Sequence, residues 1–334
     1  MSSLDWHPTT GLLLSASTDR GVIVWEESKD LKGLRPQLAV IKETKSNIDA
    51  AWNHLGNKFC VGASSGNVFI GSYDSDMSFW ITNSISKHIF SSQLSLGGKK
   101  ALHSQSVVSV RFDPLSGRVC ATASADGKCS ITTCFLQATD ATATKGPFGN
   151  VTSYGENLFT FNVIGWVNTV SFSPDATTLA YATHDCEVNF VDVSKPAGGK
   201  EKPDKVLYKG NPFLSGTFLS ATTFIACGFD KVPCLFKKGA NGQWSFVKHL
   251  DEGITKEKTA QIAKGSFEES QVFFKRSETE KATALKLDDD VIMREMNTKH
   301  ANYINSVQLF TGAPGKLTTS DVNGFINYWD VQGL

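Results

Sequence analysis

The chain has 334 residues, with 33 basic and 33 acidic side chains, so its formal net charge is zero. That balance leaves no basic footprint for a nucleic-acid partner, which would need clustered Lys and Arg against the phosphates. No run of about 18 apolar residues is available to span a membrane, and the length suits one large all-β domain or two ordinary ones. The opening Met1-Ser2-Ser3-Leu4-Asp5-Trp6 lacks the basic and apolar segments of a secretory signal, so an intracellular location is expected. The seven cysteines form an odd set without a C-x-x-C pair and sit in apolar runs such as Phe59-Cys60-Val61. They read as reduced core residues, not disulfides or metal ligands.

The first repeat runs from Leu4-Asp5-Trp6-His7-Pro8, through Leu12 to Ser17, to Thr18-Asp19-Arg20 and Val22-Ile23-Val24-Trp25. It reads as a strand closed by a Pro turn, a small polar strand, an Asp turn and a third strand ending on Trp. A second copy occupies Ile48 to Ile70, with Ser65-Gly66-Asn67 where the Asp turn is expected and Phe79-Trp80-Ile81 as an outer strand. The third pairs Val107 to Pro114 with Ala121 to Gly127, and the fourth repeats it as Val167 to Pro174 with Tyr181 to Asp185. The fifth covers Phe213 to Phe236, and the sixth, Ile304 to Asp330, ends on Trp329-Asp330. Between the third and fourth, residues 136–164 read as a polar separating segment. Asp251 to His300 is a larger, mixed-charge insertion.

This recurrence is the signature of WD repeats, in which each unit is a small antiparallel sheet. One such sheet has two apolar faces and cannot bury either alone; stacking sheets around an axis buries both. The expected fold is therefore all-β, a WD-repeat β-propeller forming a single domain over 1–334. A turn carboxylate can accept backbone N–H bonds and fix its hairpin, so Asp19, Asp126, Asp185, Asp230 and Asp321 read as structural blade-turn residues.

Gly62-Ala63-Ser64-Ser65-Gly66 matches the G-x-S-x-G of a nucleophile elbow, which needs a strand before it and a helix after it. Here the strand-like Asn67-Val68-Phe69-Ile70 follows, so the match belongs to a hairpin. The seven histidines include no H-E-x-x-H pair, and His103 and His300 stand just ahead of a first strand, where WD repeats keep a structural His. Asp288-Asp289-Asp290 lacks the spacing of a calcium loop. No active site, metal site or cofactor is expected.

Within the insertion, Ser266 and Glu269 match a capping box, and a short helix is expected near 267–280. Phe267 and Phe274 would share one face, widened by Val272 and Phe273 and followed by Lys275 and Arg276. An exposed aromatic helix face serves partner docking; the alternative folds it back over the propeller.

Several phrases in fixed order resemble the WD-repeat subunit of the actin-related protein 2/3 complex. Among them are Leu4-Asp5-Trp6-His7-Pro8, Arg35-Pro36-Gln37-Leu38, Ser86-Lys87-His88-Ile89, Pro147-Phe148-Gly149, Gly165-Trp166-Val167, Thr183-His184-Asp185 and Pro233-Cys234-Leu235-Phe236. The resemblance implies a seven-bladed propeller acting as a non-catalytic scaffold in the nucleation of branched actin filaments, in the cytoplasm and actin cytoskeleton. Implied partners are the other subunits of that complex, actin filaments and nucleation-promoting factors. It also implies that the insertion between the last two blades carries a short helix, Phe267 to Glu278, reaching towards actin or the actin-related subunits, with Phe273 or Phe274 as its Phe. Six repeats are visible where the family has seven, Met1 aligning with the start of the family's second blade, so how the propeller closes stays open. A generic WD-repeat adaptor of another assembly, such as a ubiquitin ligase, is the competing reading.

Overall fold

The computed structural model describes residues 1–28, 33–87, 100–140, 146–194, 202–251, 298–310 and 315–334. The alternation read above produces six consecutive antiparallel sheets. The first holds β1 (Ser3–Trp6), β2 (Leu13–Ala16), β3 (Val22–Ser28) and β4 (Gly33–Val40); the second holds β5 (Asn47–Trp52), β6 (Lys58–Ala63), β7 (Val68–Asp74) and β8 (Phe79–Lys87). The short β9 (Lys100–Ala101) pairs with β8. In the third sheet β10 (Val107–Phe112), β11 (Val119–Ser124) and β12 (Lys128–Cys134) are followed by the single-turn α1 (Gln137–Asp140) and then β13 (Tyr154–Asn162). The fourth holds β14 (Val167–Phe172), β15 (Thr178–Thr183), β16 (Glu187–Asp192) and β17 (Asp204–Leu207). The fifth holds β18 (Phe213–Ser220), β19 (Thr223–Gly228), β20 (Cys234–Lys238) and β21 (Trp244–His249), and the sixth β22 (Ile304–Leu309), β23 (Lys316–Asp321) and β24 (Ile326–Asp330).

Each sheet is ordered first strand to last, and the first strands β1, β5, β10, β14, β18 and β22 pack side by side in succession. That is the arrangement of propeller blades around an axis. A first strand leaves one edge without a strand partner, and its N–H groups still need acceptors. The preceding sheet supplies them from side chains. Trp52 N donates to Asp5 Oδ2 at 2.7 Å, Val110 N to Asp49 Oδ2 at 2.9 Å, Val170 N to Ser109 Oγ at 3.4 Å and Val307 N to Ser215 Oγ at 3.2 Å. Short polar side chains thus stitch the inner seam, Asp49, Ser109 and Ser215 from one register position of the first strands and Asp5 from two residues further along. At the outer rim, β4 pairs with β8 in parallel through Ala39–Trp80 and Val40–Ile81, joining the first two sheets into one.

Apolar packing is divided among the five seams. Leu14, Val24, Trp52, Phe59 and Trp80 fill the first and Cys60, Ile70, Val107 and Cys120 the second. Val119, Ile131, Val170 and Tyr181 fill the third, with Phe161 against them. The fourth is aromatic, with Phe190 stacked on Trp244 at 3.9 Å beside Phe218, Phe224 and Phe236. The fifth holds Ile225, Leu235, Ile304, Leu317 and Trp329. Strand alternation explains the division, since neighbouring residues such as Phe59 and Cys60 serve opposite seams. Gly71 is required where the Phe59 ring lies over the backbone, because a Cβ there would collide with it. Six of the seven cysteines are buried and none forms a disulfide, as expected of core thiols.

Two features differ from the sequence reading. Residues 136–164 are not simply a separating segment: β13 pairs with β12 and is the outer strand of the third sheet. Its sequence, Tyr154 to Asn162, has neither an Asp turn nor a closing Trp, so it lacks the marks that identified the other strands. The remainder is anchored by α1, whose Asp140 Oδ2 accepts from the fully buried Lys58 Nζ at 2.6 Å. That ammonium also donates to Gly117 O at 2.8 Å and Cys134 O at 3.1 Å, so all three of its donors are used. The second difference is in the last sheet, where Asp321 ends β23 and Asn323 occupies the turn; the acid is displaced from the place of Asp126 in the third sheet.

Candidate functional site

The turn acids differ in what they hold. Asp126 lies between the two strands it joins and reaches back to the segment before β10. Its oxygens both lie 3.2 Å from His103 Nδ1, and Oδ2 accepts from Ser104 N at 3.0 Å. The other imidazole nitrogen meets Thr122 Oγ1 at 2.8 Å. Burial opposes ionisation of Asp126, but the bonds from His103 and Ser104 outweigh it and hold the carboxyl well below the usual range. The sixth sheet extends the same chain of bonds to an indole. Trp329 Nε1 donates to Thr319 Oγ1 at 2.8 Å, His300 Nε2 lies 2.6 Å from that oxygen, and His300 Nδ1 lies 3.0 Å from Asp321 Oδ2.

His103 and His300 each stand four residues ahead of their first strand. The same position also bears on the turns of the second and fourth sheets. In the second sheet it is Glu43, which accepts from Ser65 Oγ at 2.6 Å and Asn67 Nδ2 at 3.1 Å. The roles are exchanged, carboxylate before the strand and hydroxyl in the turn, so the lapse at Ser65 is compensated; the sequence pattern could show it only if both positions were read together. In the fifth sheet Asp230 is engaged by Asn211, through the backbone N at 3.0 Å and Nδ2 at 2.6 Å. Asp19 accepts from Gly21 N at 2.8 Å within its own turn. In the fourth sheet the position is Val163, which offers no donor, and Asp185 remains exposed. Closure there comes from the backbone, His184 N donating to Trp166 O at 2.8 Å.

Among the described residues, the first and last sheets each have only one of their faces covered. In β1, Ser3 and Asp5 point to the second sheet, where Ser3 Oγ donates to Asp49 Oδ1 at 2.9 Å. The alternate residues Leu4 and Trp6 point away and are exposed, Trp6 by 54%, against 7% for Trp52 in the seam. In β24, Trp329 faces the fifth sheet, while Ile326 and Tyr328 are exposed on the other side with Phe325 beside them. Among the described residues β24 has no further strand paired to it, whereas the third strands of the other five sheets do.

The residues expected to bind a partner, Phe267, Val272, Phe273, Phe274, Lys275 and Arg276, lie outside the described residues, as do the helix near 267–280 and Asp288-Asp289-Asp290. The G-x-S-x-G stretch is the hairpin joining β6 and β7, with Gly66 at φ 88° packed against the His103 carbonyl. Among the described residues no group of His, Cys, Asp and Glu is placed to hold a metal ion, and no helix is long and apolar enough to cross a membrane.

Sheets joined inner edge to inner edge, with the Trp–Thr–His–Asp bonding of the sixth and its partial forms in others, define a WD-repeat β-propeller. The family model described as WD domain, G-beta repeat matches residues 1–26. Comparison with known proteins bears out the resemblance read from the sequence: along its length the chain is similar to subunit 1 of the actin-related protein 2/3 complex. Subunit 1A from Arabidopsis thaliana is 26% identical over 341 residues, covering 100% of this chain and 83% of that protein. Subunit 1 from Schizosaccharomyces pombe is 24% identical over 340 residues, covering 98% and 84%. The Saccharomyces cerevisiae subunit 1 is 23% identical over 316 residues, covering 92% and 77%.

Proposed function

We propose that this chain is a non-catalytic scaffold subunit of an actin-related protein 2/3 complex and supports the nucleation of branched actin filaments in the cytoplasm. The observation that carries the reading is similarity along the whole chain, in plant and fungal relatives alike, to proteins named as subunit 1 of that complex. The architecture fits such a role. A propeller with five packed seams, four of them also stitched by side-chain bonds at the inner edge, is a rigid platform, and the exposed faces of β1 and β24 offer apolar surface of the kind that subunits cover. The other subunits of the complex, actin filaments and nucleation-promoting factors are the proposed partners.

The insertion 251–300 is the proposed docking element, with a helix near 267–280 presenting Phe267, Val272, Phe273 and Phe274 and the cations Lys275 and Arg276 just beyond. The turn residues Asp19, Asp126, Asp185, Asp230 and Asp321 have no proposed part in chemistry. Reconstitution of the complex with this chain in place of subunit 1, followed by a branching assay, tests the reading. Full branching with the intact chain and its loss on deleting 254–299 is the expected result. Branching that survives the deletion would remove the docking role, and a chain that does not enter the complex would remove the function.

A further inference from the structure

The unclamped Asp185 borders a groove of 310 Å³ on the turn side of the seam between the third and fourth sheets. Its walls are Asn162, Val163 and Ile164 from the end of the third sheet, and Asp185, Glu187 and Lys205 from the fourth. Lys205 Nζ donates to Glu187 Oε2 at 3.0 Å, which leaves the carboxylate of Asp185 without an ion-pair partner among the described residues. One step deeper on the same strand face lies Asn189, two residues from Glu187 and directly across the ladder from Lys205. It is fully buried, and neither its amide oxygen nor its amide nitrogen has a hydrogen-bond partner among the described residues. A buried amide in that condition costs free energy unless something completes it. The groove itself combines an unneutralised carboxylate and an apolar lip, while the orphaned amide of Asn189 is enclosed and is not one of its walls.

Beside it the surface changes character. Ile164 is fully exposed and Trp166 is 58% exposed. From Trp166 a line of rings runs across three sheets, reaching His184 at 5.5 Å, then Phe229 at 6.4 Å and Tyr303 at 5.2 Å between centroids. These rings touch one another, tilted or edge to face, so they form a continuous track and not a cage.

We propose that this groove and track bind an extended segment of a partner protein that places an Arg or Lys side chain in the groove and apolar side chains along the rings. A guanidinium supplies the donors that Asp185 lacks, and its flat face stacks on an indole. A phosphate-bearing ligand is disfavoured by the two carboxylates. The groove is at the small end of ligand sites, a size for one long side chain. The inference stands apart from the scaffold reading, because it needs neither actin nor the insertion.

The test is fluorescence polarisation of the full chain with labelled short peptides carrying a fixed central Arg, Lys, Gln or Glu among random apolar residues. The Arg and Lys sets are expected to bind about tenfold more tightly than the Gln and Glu sets. Asp185→Asn removes that preference, and Trp166→Ala weakens all sets together. Val163→His re-creates beside Asp185 the clamp of the third sheet and also removes the preference, so two variants of different packing report on one site. Thermal melting checks that each is folded. No binding by any set, equal binding of the Arg and Glu sets, or an undiminished Arg preference in folded Asp185→Asn would overturn the proposal.

Discussion

The seam between the first two sheets and the outward face of the last sheet are made from the same kinds of residue. Trp52, Phe59 and Trp80 are buried against one another with centroids 5.4 to 5.7 Å apart. Phe325, Ile326 and Tyr328 are equally apolar and lie exposed. Amphipathic strands specify that each sheet needs a neighbour on both sides, but the neighbour decides where the free energy is gained. An aromatic side chain is worth several kcal/mol only where water is excluded from it.

That contrast sets the expected order of mutational effects. Phe59→Ala should cost about 3–5 kcal/mol by cavity formation and lost transfer free energy, read as a lower urea midpoint at unchanged slope. A comparable loss in Trp6→Ala would show that its exposed face is covered in solution. Breaking the buried pair with Asp140→Ala should also cost about 3–5 kcal/mol, because Lys58 is left charged and unpaired. Lys58→Met combined with Asp140→Leu should restore much of that loss. If the single and double variants melt alike, the pair is not what holds α1 to the second sheet.

Acid should act on the clamped turn of the third sheet. The folded-state pKa of Asp126 lies below its unfolded value, so its contribution is complete above about pH 4 and is lost as pH falls through the depressed value. Asp126→Asn should flatten the acid limb of the stability profile. The inner stitching is a smaller effect. Ser215→Ala removes the acceptor of Val307 N and should cost about 1 kcal/mol, measurable as faster amide exchange at Val307. Smallest of all, Tyr328→Ser on the outward face should stay within about 0.5 kcal/mol in the isolated chain, and a larger loss would mean that face is already packed.

Much of this architecture was legible in the sequence, and the reasons differ by element. The first two strands of each sheet announce themselves through alternation and a polar turn, and the third strands of the first and last sheets through a closing Trp; the structure places them in all six sheets. Outer strands have weaker constraints, since one edge faces solvent. Phe79-Trp80-Ile81 was readable because of its bulk, while Tyr154 to Asn162 was not. The partnership of Glu43 with Ser65 was hidden because it inverts donor and acceptor between two distant positions. The groove beside Asp185 was hidden for the opposite reason. Its mark is a missing clamp at Val163, and a valine ahead of a strand attracts no notice until the other sheets show what belongs there. The expected docking residues Phe267 to Arg276 fall outside the described part of the chain, so the sequence argument for them stands by itself.

The most direct test of the scaffold role is affinity purification of the tagged full-length chain from its native cells at moderate salt, with every co-purifying protein identified and quantified. Two actin-related proteins are expected to be recovered in equal amount with the chain. Recovery of ubiquitin-ligase components instead, or of no stoichiometric partner, would contradict it.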